Sequence, residues 1–586
     1  MGPAAAQPPQ LAAHGLDESG SFRDSGTGVF EDSYTAQGGF AELKAQPLSE
    51  ASTPRRKHQT ERGKLGREDG LFEEAPPGDS VVIDTVTAEN GSSSARRRFE
   101  WRLALRKLGP AFLISIGYMD PGNWATDIEG GSRFGYRLLW VLVVSNVMAW
   151  LLQTLASRLG IVTGRHLAQL CREAYPRIIA MTLFALAETA IIATDLAEVI
   201  GTAVGLNLVL GIPLLLGILV TTLDTLLLLM AQRAGGLRRI EQIVLSLLFV
   251  ITICFALELV LSKPSFIQMI GGLVPRIDGQ SLLVALGMLG ATVMPHNFYL
   301  HSAIVIRDAT VRRPADSCVS TSATRTADGT AHNGHDLAGC TDDSDRGREL
   351  ECVYSAIDCA VALNAAFFIN AAILITAASS FWANHVQVAT LQEAHALLER
   401  VLPIRLWGRV EVAPLVFGIA LIAAGQSSTI TGTLAGQYVM EGFLGLSLQM
   451  WQQRLLTRLC AVVPSVLVII LLGPESTYRL LILSQVVLSL QLPFAIVPMI
   501  RFTGSKALMG ERFASGMWTR ICAWCAAAFI IVLNLWMAGS MLFDAFRVQS
   551  GRTAGAVVGG VLAVPLTIYL LGVLVWLCMY RGFRNE

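Results

Sequence analysis

The chain has 586 residues, 53% of them hydrophobic and only 15% charged, with a mean hydropathy of +0.51. Soluble proteins carry about 25% charged residues, so these proportions exclude an ordinary cytosolic enzyme and specify a polytopic membrane protein. Forty-five Lys and Arg balance 45 Asp and Glu, which leaves no surplus positive charge for a nucleic-acid partner.

Residues 1–100 are rich in Gly, Ser, Ala and charge and hold no apolar run long enough to build a core. They read as a disordered cytoplasmic tail, with 101–586 as the transmembrane domain. No apolar leader opens the chain, and Asp17, Glu18, Asp24 and Glu31 argue against a transit peptide. The ten cysteines lie mostly in apolar segments and imply no disulfide framework.

From residue 108 onward, apolar segments of roughly 20 residues follow one another, the length that crosses a hydrocarbon layer as helix. About twelve are expected: 109–131, 136–160, 178–206, 208–231, 241–262, 280–306, 353–378, 411–436, 454–473, 477–501, 519–546 and 555–580. Basic residues recur in alternate flanks, beginning with Arg96, Arg97, Arg98, Arg102, Arg106 and Lys107. They continue through Arg158 to Arg177, Arg233 to Arg239, Arg307 to Arg313, and Arg501 to Arg520. This pattern places both termini in the cytosol, although Arg400, Arg405 and Arg409 run against it. Residues 308–350 form a polar insertion read as a cytoplasmic linker, despite His332, His335, Cys340, Asp342 and Asp343 within it.

Two spans are interrupted at mid-depth. The first carries Asp120-Pro121-Gly122-Asn123, and the sixth carries Ala291-Thr292-Val293-Met294-Pro295-His296. Pro121 and Pro295 lack a backbone donor and clash with a continuing helix, and Gly122 eases non-helical dihedrals, so both helices are expected to open. They lead two successive groups of five spans, the arrangement of inverted repeats in secondary transporters, where unwound backbone lines a midplane site. Asp120 supplies an anionic oxygen there and needs a cationic or protonic partner at that depth. Asn123 adds a neutral oxygen. Met294 adds a thioether, which suits Mn²⁺ or Fe²⁺ and does little for Ca²⁺ or Mg²⁺.

In the third span Glu188, Asp195 and Glu198 fall within about 80° of one another on a 3.6-residue period, a face suited to a proton pathway rather than to lipid. Arg458, near the start of the ninth span, is a candidate counter-charge. His296 adjoins the second break and exchanges protons near neutrality. Asp224, Glu258, Asp358, Asn364, Asn370 and Asn534 read as interhelical hydrogen-bond partners.

The stretches GPAFLISIGYMDPGNWATDIEGGSRFGY, ATVMPHNFYLHSA and GQSSTITGTLAGQYVMEGFL resemble, in order, three signatures of the natural resistance-associated macrophage protein (NRAMP) family. The resemblance covers about residues 100–580. It implies a LeuT-like, all-α fold with five-plus-five inverted repeats. It also implies a metal held by Asp120, Asn123 and Met294, with carbonyls from Gly117 or Ala291. Gly117 stands where many relatives have Ala, a change to which a carbonyl ligand is indifferent. Gln485 resembles the glutamine that joins when the site closes, with Gln491 a nearby alternative. Arg458 resembles the arginine at the far end of the proton route.

The expected activity is proton-coupled import of Mn²⁺ and Fe²⁺, with Cd²⁺ and Co²⁺ as further substrates, by alternating access. Rival readings are a Mg²⁺ or broad divalent-cation carrier of the same fold and a non-transporting metal-sensing receptor. No covalent chemistry, cofactor, nucleic acid or obligate protein partner is expected; the partners are divalent ions, protons and the bilayer.

Overall fold

The computed structural model describes residues 109–580 apart from 277, 313–335, 389, 402–404, 407–409, 446–449, 474–475 and 549–553. The expected tail, the basic run before the first span and the middle of the 308–350 insertion lie outside the described residues. Among the described residues the regular structure is helical except for one two-stranded hairpin, Arg405–Leu406 with Val410–Glu411.

The first span is two half-helices, α1 (Pro110–Gly117) and α2 (Pro121–Phe134). A 3₁₀ turn leads to α3 (Leu139–Thr163), and a short α4 (Leu167–Ala174) precedes α5 (Arg177–Leu210). Then come α6 (Leu214–Ser262) and the short α7 (Phe266–Gly271). The sixth span is again split, into α8 (Leu282–Thr292) and α9 (Pro295–Arg312). The remaining helices are α10 (Asp336–Ser380), α11 (Leu391–Val401), α12 (Val412–Leu444), α13 (Met450–Leu472), α14 (Ser476–Gly504), α15 (Lys506–Phe513), α16 (Met517–Val548) and α17 (Ala554–Met579). Nine segments among the described residues are long and apolar enough to cross a membrane, and Pro565–Met579 is a shorter apolar helix.

The two largest departures from the expected spans are at helix ends. The spans expected at 208–231 and 241–262 belong to one helical segment of 49 residues. No proline interrupts it, and the Gly235-Gly236 pair lowers helix stability by only about 1 kcal/mol per glycine. Helix α10 likewise begins inside the expected linker, at Asp336. The Arg348–Asp345 pair at i, i+3 spacing supports its first described turns, and Arg512 reaches Glu349 at 2.9 Å.

Most of the polar residues expected to link helices do so. Asn370 donates to the Tyr118 carbonyl at 2.8 Å, Asn146 donates to Asn364 at 3.2 Å, and Asn534 donates to the Ser489 carbonyl at 2.7 Å. Glu258 is buried with no hydrogen-bond partner for Oε1 among the described residues, and the Asp224 side chain lies outside them. Asp358 has a more specific task. The residue before α1, Gly109, has no side chain to cap the helix, and Asp358 Oδ1 and Oδ2 accept from Gly109 N (3.2 Å) and Ala111 N (2.8 Å) instead. An acidic group at a helix N-terminus satisfies free donors and complements the dipole. Asp358→Ala is expected to destabilise the protein by about 1 kcal/mol, within the range of lost N-caps, read as a lowered unfolding midpoint in detergent. An unchanged midpoint contradicts this capping role.

Candidate metal site

Both breaks have the same backbone logic. In an unbroken helix residue i donates to the carbonyl of residue i−4. Pro121 cannot donate to Gly117, and Pro295 cannot donate to Ala291. At the first break Tyr118 N and Met119 N turn back to Ser115 O and Ile116 O at 3.1 and 3.0 Å, a tight turn that ends α1. Asp120 then takes extended dihedrals (φ −67°, ψ 163°) and caps α2, with Oδ1 accepting from Asn123 N at 2.8 Å. At the second break Val293 leaves the helix at φ −106°, ψ 75°.

The breaks are brought together by one turn of α14. Gln485 Nε2 donates to Asp120 Oδ2 at 3.5 Å and to Ser484 Oγ at 3.2 Å. Gly122 faces that same amide so closely that a Cβ would collide with it, and Gly290, on the second broken helix, leaves no room for a Cβ beside the Gln485 carbonyl. One turn further along, Leu488 packs with Met294, Ala190 and Ala193 in a small apolar cluster. Gln485, and not Gln491, is therefore the glutamine that reaches Asp120. Asn534 holds this turn through both the hydroxyl and the carbonyl of Ser489.

Asp120, Asn123, Ala291, Met294 and Gln485 are all at most 1% exposed. Yet Asn123 Nδ2, Gln485 Oε1 and His296 Nδ1 have no hydrogen-bond partner among the described residues. Leaving a buried polar atom unpaired costs about 1–3 kcal/mol, so each of these three atoms gains by acquiring a polar partner. Trp124 anchors α2 beside the break: its indole donates to the Met119 carbonyl at 3.2 Å, and its ring meets Phe255 edge-on at 4.6 Å.

The carboxylate face of α5 is also assembled. Asp195 and Glu198 are fully buried, and Arg458 Nη1 lies 4.0 Å from Asp195 Oδ1 and 3.7 Å from Glu198 Oε2. Ser428 and Thr429 of α12 donate to the two oxygens of Glu198 at 2.7 and 2.9 Å. Glu188 is half-buried and lies within electrostatic range of Asp195. His296 is within electrostatic range of Asp195, which connects the second break to this cluster.

Residues 111–540 match the sequence profile described as natural resistance-associated macrophage protein-like. The chain belongs to the NRAMP family. It is 44% identical over 502 residues to the natural resistance-associated macrophage protein 2 homolog of Dictyostelium discoideum, covering 86% of this chain and 73% of that protein. It is 47% identical over 473 residues to the divalent metal cation transporter MntH of Brucella suis, covering 80% and 93%. In three dimensions it resembles the manganese transporter of Eremococcus coleocola solved with an aromatic bis-isothiourea compound. That match has a TM-score of 0.69 and 33% identity, and covers 85% of this chain and 98% of the other.

This NRAMP chain holds further polar groups that the sequence reading did not single out. Asp127 is 1% exposed, and its Oδ2 has no hydrogen-bond partner among the described residues. It lies two turns beyond Asp120 on α2, a spacing that was visible in the sequence. Ser428 and Thr429 were not identifiable in the same way, because their role depends on which helix faces α5. A buried relay also leads from the first break: Gln153 donates to the Tyr118 hydroxyl at 2.8 Å, and its carbonyl lies 2.9 Å from His301 Nδ1. Because Gln153 uses its amide nitrogen on Tyr118, His301 Nδ1 is the donor in the second bond.

Proposed function

We propose that this protein imports divalent transition-metal ions, Mn²⁺ and Fe²⁺ with Cd²⁺ and Co²⁺ as further substrates, driven by inward proton flow. The observation that carries the reading is the single α14 turn, Gln485 to Ser489, seated against both broken helices, with its amide on Asp120. In this reading Asp120, Asn123 and Met294 bind the ion, and the carbonyls of Gly117 and Ala291, deprived of their helical donors, complete the shell in different states. Gln485 turns its free Oε1 toward the ion as the site closes. Relatives named as divalent metal cation and manganese transporters support the same cargo.

Alternating access follows from hinges at the two breaks: α1 and α9 can tilt while α2 and α8 remain packed, because no backbone hydrogen bond passes through either proline. Protons lodge on Asp120 and pass by His296 toward Asp195 and Glu198, with Arg458 balancing the charge and Glu188 on the same face. Loop pairings support the sidedness. Arg137 meets Asp278 at 3.3 Å, joining loops expected outside, while Arg512 meets Glu349 and the Tyr580 hydroxyl donates to the Ala174 carbonyl, joining loops expected inside with the C-terminus.

Reconstitution into vesicles containing a pH dye and a metal dye tests this. Mn²⁺ uptake is expected to rise as the outside is acidified from about pH 7.5 to about 5.5, with acidification of the lumen. Metal flux indifferent to pH, with no lumenal acidification, overturns the coupling. Met294→Ala is expected to keep Mn²⁺ uptake and to admit Mg²⁺ or Ca²⁺, since oxygen ligands remain while the soft donor is lost. Unaltered selectivity removes the thioether argument and favours the broad divalent-cation carrier.

A further inference from the structure

Between α5 and α17 lies a cleft that the transport reading does not use. Its volume is about 780 Å³, and its lining includes Arg177, Met181, Ala185, Thr189, Leu566 and Leu570. The two helices are antiparallel here: the Tyr580 hydroxyl donates to the Ala174 carbonyl at one end, and deeper in, the Tyr569 and Thr182 hydroxyls are 2.7 Å apart.

The cleft has the depth of one leaflet. From Arg177 to Thr189 is about 18 Å of helix at 1.5 Å per residue, while half of a 30 Å hydrocarbon layer is about 15 Å. Arg177 opens α5, just before the apolar span expected from residue 178, and is thereby expected at headgroup level. It is exposed and has no acidic partner among the described residues. It opens a helix whose preceding residue, Pro176, provides no side-chain cap, so the first-turn N–H groups face the same level as the guanidinium. Below it the walls are mostly apolar, and their hydroxyls are satisfied: Tyr569 pairs with Thr182, which donates to the Ile178 carbonyl, and Thr189 donates to the Ala185 carbonyl.

We propose that this cleft binds an anionic phospholipid, its phosphate on Arg177 and the start of α5 and an acyl chain along Met181, Ala185, Leu566 and Leu570. Charge complementarity selects this occupant: a sterol's hydroxyl accepts a hydrogen bond but carries no charge to balance the guanidinium, and a zwitterionic lipid carries a cation beside its phosphate. The site is independent of the metal reading, since none of its residues belongs to the breaks or to the carboxylate cluster.

Native mass spectrometry of the full chain in detergent, titrated with phosphatidylglycerol or phosphatidylcholine, tests the proposal. The tightest adduct is expected to favour phosphatidylglycerol by about fivefold, the effect of one basic residue near an anionic headgroup. Arg177→Gln is expected to abolish the preference and Arg177→Lys to keep it. Ala185→Trp, which fills the trough, is expected to remove the tightest adduct of either lipid and provides a second arm should Arg177→Gln fold poorly. Equal affinity for the two lipids, displacement of phosphatidylglycerol by a sterol, or a lipid-independent dimer that occludes the cleft overturns the proposal.

Discussion

Asp120→Asn is expected to abolish metal uptake without unfolding the protein. Asparagine matches aspartate in shape and is as good an N-cap, so the bond from Asn123 N and the start of α2 survive. On the proposed reading, what is lost is the single anionic oxygen donor offered to the ion at the first break, in a fully buried position. Even indirect contacts to a metal are worth 10–100-fold, so removal of the charged ligand itself should lower uptake and affinity by at least about 100-fold. Uptake in vesicles and calorimetric binding measure this, with the unfolding midpoint as the control. Uptake within about twofold of the parent, with the fold intact, contradicts the assignment of Asp120 as a ligand.

Arg458→Ala is expected to have the largest effect on stability of any substitution outside the breaks. The guanidinium is 1% exposed and faces two fully buried carboxylates, Asp195 and Glu198. Removing one partner of a buried ionic group strands the others, at about 3–5 kcal/mol, whereas an exposed ion pair contributes about 0–1 kcal/mol. A further Glu198→Gln change removes one stranded charge and should restore part of the loss, since Gln can still bond Ser428 and Thr429. Denaturation of the single and double variants in lipid nanodiscs separates these terms. A loss below about 1 kcal/mol for Arg458→Ala shows that the cluster does not depend on its cation.

Helices α5, α12 and α14 follow their expected spans to within a few residues, apart from the later end of α12. The reason is that a bilayer accepts only segments that bond their own backbone. Where that constraint ends, beyond the apolar spans, sequence reading was weakest: the joining of 208–231 with 241–262 and the early start of α10 both fall there. The two freed carbonyls were legible in principle, because the spacing from Gly117 to Pro121 and from Ala291 to Pro295 is the helical hydrogen-bond spacing itself.

The local chemistry of this protein was written in its sequence: which segments are apolar, where proline removes a helical donor, and which carboxylates share a face of α5. Each is a matter of residues at most a few turns apart. Only the tertiary structure decided that Gln485 rather than Gln491 meets Asp120, 365 positions away, that Ser428 and Thr429 satisfy Glu198, and that Asp358 caps α1 from 247 positions along the chain. Those pairings depend on which helix faces which, and that is set by close packing across the whole bundle, where a glycine such as Gly122 or Gly290 admits a neighbour that any side chain would exclude.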